Sequence, residues 1–108
     1  MSPNRYVHSR DANHNEVVAA FEEVFCSVFD AAPMGFGFPD LVVGCAGITL
    51  LVEVKTEHGR LEKSQERFIR DWRGGKVHIV RSRDQAIDLA QATRSKQAGV
   101  PKNQGKHP

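Results

Sequence analysis

Three ionisable side chains, Asp40, Glu53 and Lys55, stand inside runs of residues that otherwise belong in a protein interior. Glu53 and Lys55 interrupt Ile48-Thr49-Leu50-Leu51-Val52-Glu53-Val54-Lys55, which reads as a buried central strand. Asp40 sits in Phe38-Pro39-Asp40-Leu41-Val42-Val43, where Pro39 suits a strand start. Charges are seldom buried without a partner or a metal. Two carboxylates beside one ammonium suit a hard divalent cation, because Mg²⁺ prefers oxygen ligands, keeps several waters and needs only one or two protein carboxylates. Such a cation polarises a phosphoryl oxygen and lowers the pKa of a bound water. Lys55 is then placed to orient or deprotonate that water, or to offset charge on the phosphate. The backbone carbonyl of Val54 is a further candidate ligand, and Glu16 adds a carboxylate if its helix packs beside the strands.

Plainer readings account for the same residues. A Glu and a Lys two apart on a strand usually mark an exposed charged face, and an Asp–Lys structural ion pair would explain the burial of both signs. Glu16 stands three residues after Asn13, in the position of a capping-box acid. Gln65 falls on the apolar stripe of Leu61, Phe68, Ile69 and Trp72, so it points toward the sheet and needs partners there. A catalytic lysine, a scissile phosphate or a backbone group would each serve.

The elements that must hold these residues follow from periodicity and punctuation. Asn13 caps a first helix with Val17, Ala20, Phe21 and Val24 on one face, running to about Glu23 or Val24. A short strand follows within residues 25–32, and Pro33-Met34-Gly35-Phe36-Gly37 is a loop. Phe38–Val43 and Ile48–Lys55 are strands joined by Gly44-Cys45-Ala46-Gly47. A second helix carries Leu61 to Trp72 and stops at Gly74-Gly75. Val77–Val80 is a strand, and Ser82-x-x-Gln85 opens a last helix with Ala86, Ile87, Leu89 and Ala90 inward. The order α-β-β-β-α-β-α describes an α/β domain, a small mixed sheet flanked by helices.

With the hairpin turn centred on Cys45-Ala46, Asp40 lies opposite Leu51, and directly opposed residues share a face. Side chains alternate along a strand, so Leu51, Glu53 and Lys55 lie on that face too. Asp40 and Glu53 become diagonal neighbours within ~7–8 Å. A one-residue slip would send Asp40 to the other face and abolish the arrangement.

At these residues the chain resembles the PD-(D/E)XK nuclease superfamily, and more narrowly the virus-type replication-repair nuclease (VRR-NUC) domain in its small stand-alone phage and prophage forms. Glu16, Gly37-Phe38-Pro39-Asp40-Leu41, Val52-Glu53-Val54-Lys55, Gly59-Arg60-Leu61, Gln65 and Val77-His78-Ile79-Val80-Arg81-Ser82 carry the resemblance, which runs from about Glu16 to Leu89. It implies a restriction-endonuclease-like fold and a Mg²⁺- or Mn²⁺-dependent deoxyribonuclease. Asp40 and Glu53 would be ligands, Lys55 catalytic and Gln65 supporting. It further implies a homodimer that cuts branched or structured DNA, such as a four-way junction. Arg60 and Lys63 flank the site and are expected on phosphates. One departure stands out: the position after Leu61, often a small hydroxyl residue in such domains, is Glu62. Asn13-His14-Asn15 superficially resembles an HNH nuclease, but that chemistry needs its His on a strand, and His14 opens a helix. The rival of a different kind is a non-catalytic nucleic-acid-binding or assembly module that keeps the nuclease fold.

Composition agrees with one intracellular domain. The chain has 108 residues, 40% hydrophobic and 26% charged, enough for a single core. No apolar run comes near the ~20 residues that span a bilayer, so no membrane is expected. The polar N-terminus lacks a secretory apolar stretch. Cys26 and Cys45 have no CxxC spacing and are expected as free thiols of the cytoplasm, in a bacterial cell or a phage-encoded product. Net charge is +2 but uneven. Residues 93–108 hold four basic side chains and no acid, leaving 11 basic side chains against all 13 acids in residues 1–92. The domain is therefore placed at 1–92 and a disordered basic tail at 93–108, which attracts phosphates or merely solubilises.

Overall fold

Every second residue of Leu41-Val42-Val43-Gly44-Cys45 is buried, the period-2 pattern of a strand with one face on a core. In the computed structural model, which describes residues 10–99, that strand belongs to an α/β domain of three helices and a four-stranded mixed sheet. The order is α1 (Arg10–Glu23), β1 (Ser27–Asp30), a 3₁₀ turn (Ala32–Met34), β2 (Leu41–Cys45), β3 (Ile48–Val54), α2 (Lys63–Asp71), β4 (Val77–Val80) and α3 (Arg83–Ala98). The sequence of helices and strands is the expected one.

Strands lie side by side as β1-β2-β3-β4. β1, β2 and β3 form an antiparallel meander, and β4 returns parallel to β3 through α2. The core face carries Leu41, Val43, Cys45, Leu50 and Val52 against Val17 and Phe21 of α1 and Ala86 and Ala90 of α3. Small residues on α3 let it come close to the sheet and to α1. Fully buried side chains such as Phe21, Leu41 and Val52 are worth about 1.5–3 kcal/mol each.

The hairpin differs from expectation by two residues. Ala46 and Gly47 both have left-handed backbone, φ 54° and 82°, so the two-residue turn is centred on them. Cys45 is not a turn residue. It closes β2, buried, with its Sγ 3.7 Å from the Ala90 carbonyl oxygen. Leu41 accordingly pairs with Val52, which sets Asp40, one residue earlier, opposite Glu53 rather than Leu51. A shift of two preserves which face each side chain occupies. Asp40, Glu53 and Lys55 therefore share the face away from the core, the one α2 flanks.

Other boundaries move for identifiable reasons. Asn13 is inside α1 and buried, not a cap; its Nδ2 donates to the Lys55 carbonyl at 2.9 Å and to the Arg81 carbonyl at 3.4 Å. α2 begins at Lys63, with Glu62 rather than an earlier residue at its N-cap, and it ends at Asp71 before Trp72. β2 starts at Leu41, because Asp40 turns its side chain toward β3. Ser82 caps α3 as expected, its side chain accepting from the Gln85 amide at 3.1 Å. α3 continues to Ala98, past the boundary expected at residue 92; the tail beyond residue 99 lies outside the described residues. Both cysteines are free, and both are buried. No helix among the described residues is long and apolar enough to cross a membrane.

Candidate active site

β3 leaves the sheet beside the N-terminal end of β2, and this is where the three expected residues meet. Asp40 Oδ2 accepts the Val54 amide at 2.9 Å. The carboxylate thus stands in for a ladder carbonyl just outside the β2–β3 pairing, which fixes its position. Glu53, opposite it, is 2% exposed. Its Oε2 accepts Gln65 Nε2 at 2.7 Å and lies 3.9 Å from Lys55 Nζ. Asp40, one residue before Leu41 in the β2–β3 register, is the cross-strand neighbour of Glu53.

Such crowding has an electrostatic consequence. Burial, and then the neighbouring Asp40 carboxylate, push the Glu53 carboxyl up to about 8, and Lys55 only partly offsets them. The direction of that shift favours the neutral form of the Glu53 carboxyl. Lys55, its side chain 11% exposed, is too far from Glu53 for a tight ion pair.

A hollow of about 420 Å³ opens over this cluster. Asp40, Val54 and Lys55 line it, with Arg60 also on its wall. Glu53 does not line it and touches the site from the buried side, through Asp40. Arg60 is exposed, and the loop that carries it is clamped by Arg81, whose Nη1 donates to the Thr56 carbonyl at 2.8 Å and the Gly59 carbonyl at 2.7 Å. Lys63 is exposed at the first turn of α2, off the hollow's wall. Gln65 is half-buried and does point at the sheet, and its partner there is the Glu53 carboxyl. Glu16 is not gathered into this cluster. It is exposed on α1 and borders a separate hollow with Thr56, Glu57 and Arg81.

The helix contributes a different pair to the hollow. His14 Nε2 lies 2.8 Å from Asp30 Oδ2, and both residues line the wall facing Asp40 and Lys55. Burial works against the Asp30 charge, but the His14 hydrogen bond and the Ala32 amide hold its carboxyl below the usual range. Sequence spacing gives no hint of this pair, since packing of α1 on β1 brings together residues from separate elements. The one available sign was an acid closing the apolar strand Val28-Phe29-Asp30.

Among the described residues no group of three or more His, Cys, Asp or Glu side chains forms a metal cage. Two carboxylates and a neighbouring backbone carbonyl are what the fold offers, a donor set that fits a hard, water-rich cation better than zinc. Comparison with models of protein families, with curated proteins and with solved structures finds no match to this chain.

Proposed function

We propose that this chain is a divalent-cation-dependent phosphodiesterase acting on DNA, built on a restriction-endonuclease-like fold. One observation carries the reading: Asp40, held by the Val54 amide, and the buried Glu53 come together beside a nearly buried Lys55, under an open hollow. An acid kept so far from its ordinary ionisation is poorly accounted for as a structural feature, and a cation that displaces the proton would satisfy both carboxylates at once. The element order, with β4 parallel to β3, supports the fold assignment.

Asp40, Glu53 and the Val54 carbonyl would hold Mg²⁺ or Mn²⁺, which when bound supplies Lewis acidity at a phosphoryl oxygen and a more acidic water. Lys55 supplies the fixed ammonium that orients the attacking water and balances charge gathering on the phosphate. Gln65 holds the Glu53 carboxyl in place. Arg60 at the wall and Lys63 beyond it attract the flanking phosphates. Branched or four-way-junction DNA as substrate, a homodimer as working unit, and a cytoplasmic setting belong to the same proposal and draw on the family resemblance.

Incubation with Mg²⁺ or Mn²⁺ and linear, nicked, flapped and four-way-junction DNA tests it. Wild-type protein cleaves at least one of these, and Asp40→Asn, Glu53→Gln and Lys55→Ala each lose about 100-fold or more. Cleavage that persists in Lys55→Ala and Glu53→Ala would overturn the residue roles. The second reading, a nucleic-acid-binding module without catalysis, draws on the absence of Glu53 from the hollow's wall. It predicts no cleavage, with DNA affinity surviving loss of both carboxylates.

A further inference from the structure

A second hollow, about 290 Å³, lies across the loop that leads into β2, bounded by Phe36, Ser64, Arg67, Phe68, Asp71 and Trp72. Its aromatic rings are exposed to an unusual degree, Phe36 at 98% and Trp72 at 43%. Trp72 is braced by its neighbours. It stacks on Phe68 with centroids 5.2 Å apart and 18° between planes, and Phe68 meets Phe38 edge-on at 5.4 Å. Gly74 lies against the indole so closely that a Cβ there would come within 2.7 Å of its nitrogen. Phe36 sits between Gly35 and Gly37, and all three have left-handed backbone, φ 69°, 59° and 82°. A bulky side chain in that region is rare and persists only where the surroundings enforce it. Here Gly37 is pressed against the Ser64 carbonyl. The fold thus sets an exposed ring at one wall and a braced aromatic stack at the other.

The surroundings mix charges, with Glu62, Glu66 and Asp71 exposed among the basic residues. Lys63, Arg67 and Arg70 recur along the exposed side of α2, with Arg60 just before the helix. The rim's acid, Asp71, is already engaged by Arg70 at 2.8 Å. The hollow also lies close along the chain to the candidate active site, although the two share no lining residue. Ala32, Pro33 and Glu62 line the first hollow, and Phe36 and Ser64, on the same loop and at the same helix start, line the second. Exposed aromatic rings with the Arg67 guanidinium on the same rim match an unpaired nucleotide. A paired base has both faces covered by its neighbours and cannot stack on a side chain, whereas an unpaired one can, whatever its identity.

We infer that the hollow between Phe36 and Trp72 is a stacking site for an unpaired nucleobase of the strand whose phosphodiester enters the first hollow. The inference rests on the phosphodiesterase reading and narrows its substrates to DNA with single-stranded character at the site.

Trp72 is the chain's single tryptophan, so its fluorescence reports on stacking directly, with EDTA present and no cleavage required. Full-length protein is titrated with single-stranded oligothymidylate of ~12 nucleotides, a length within the range single-strand sites span, and with a blunt duplex of equal length. The single strand quenches Trp72 and the duplex leaves it nearly unchanged. Phe36→Ala weakens single-strand affinity about 10-fold with duplex affinity unaltered, Phe36→Leu behaves like Phe36→Ala, and Phe36→Tyr like wild type. Phe36 is solvent-exposed, so these variants keep the fold. Absence of quenching, or a Phe36→Leu variant that binds like wild type, overturns the inference. So does emission that changes with protein concentration alone and is insensitive to the oligonucleotide, which would assign the hollow to contacts between copies of the chain. Quenching and its loss in Phe36→Ala without cleavage of any DNA would sustain the base site and sink the phosphodiesterase. Cleavage of flapped and blunt DNA alike, unchanged in Phe36→Ala, would do the reverse.

Discussion

Gln65 Nε2 donates to Glu53 Oε2 across 2.7 Å while Oε1 of the same side chain accepts the Glu62 amide at 2.8 Å. One residue therefore finishes the N-terminus of α2 and fixes the direction of a buried carboxyl. Gln65→Ala removes a cap contact and leaves a buried acid short of a partner, at a cost of about 1–2 kcal/mol. Under the proposed cation site, where groups that orient a ligand matter almost as much as the ligand, it is also expected to lower Mg²⁺ affinity about 10-fold. Urea melts with and without Mg²⁺ separate the two effects. Lost stability with full Mg²⁺ affinity would reduce Gln65 to a cap.

Glu53 makes metal-free stability depend on pH. Its folded-state value near 8 stands above its ordinary 4.5, so the folded chain keeps a proton that the unfolded chain releases. The stability drawn from that proton is complete below the ordinary value and disappears as pH rises through the folded one. Glu53→Gln keeps the neutral form at every pH. In EDTA the variant matches wild type at about pH 5 and exceeds it by on the order of 2 kcal/mol at about pH 9. Denaturant midpoints at both pH values check this, and a gap that does not grow with pH would refute it.

With Glu53 as a ligand, as proposed, the same proton competes with the cation, and Mg²⁺ affinity is expected to run the other way. Below about 8 the Glu53 carboxyl must be deprotonated for the cation to bind, and affinity rises about tenfold per pH unit before levelling off. Calorimetric titration in buffers of different ionisation enthalpy should register close to one proton released per cation at neutral pH. PH-independent binding without proton release would show that the cation does not use Glu53.

Much of this site was legible because burial and alternation are local signals. An acid and a lysine inside an apolar strand announce themselves, and the parity that puts Asp40 with Glu53 survives either choice of hairpin turn. The turn centre itself was not legible: Cys45-Ala46 and Ala46-Gly47 both read as two-residue turns. Burial of Cys45 beside Ala90, a contact spanning half the described chain, decides between them. Asn13 shows the same limit. Asn13-x-x-Glu16 has the local form of a capping box, yet the carbonyls of Lys55 and Arg81, distant in sequence, claim its side chain. The partners of Arg81 and of His14 were not legible for this reason too, since topology alone sets them.

Gly37 and Gly47 share a backbone φ of 82° but differ in what surrounds them, which makes a controlled experiment possible. A Cβ on Gly47 meets open space, so Gly47→Ala incurs only the strain of a left-handed alanine, about 1 kcal/mol. A Cβ on Gly37 runs into the Ser64 carbonyl, its carbon 2.7 Å away, with the Gln65 amide at 3.3 Å. That collision is with backbone and cannot be relieved by a side-chain rotation, so the start of α2 must move and take Gln65 away from Glu53. Gly37→Ala is therefore expected to cost about 2–4 kcal/mol, and, unlike Gly47→Ala, to weaken Mg²⁺ binding in the protein that remains folded. Denaturant midpoints and Mg²⁺ titrations of the two variants side by side decide the matter. Equal losses in both would mean that the close seat of the loop on α2 does not position the acid.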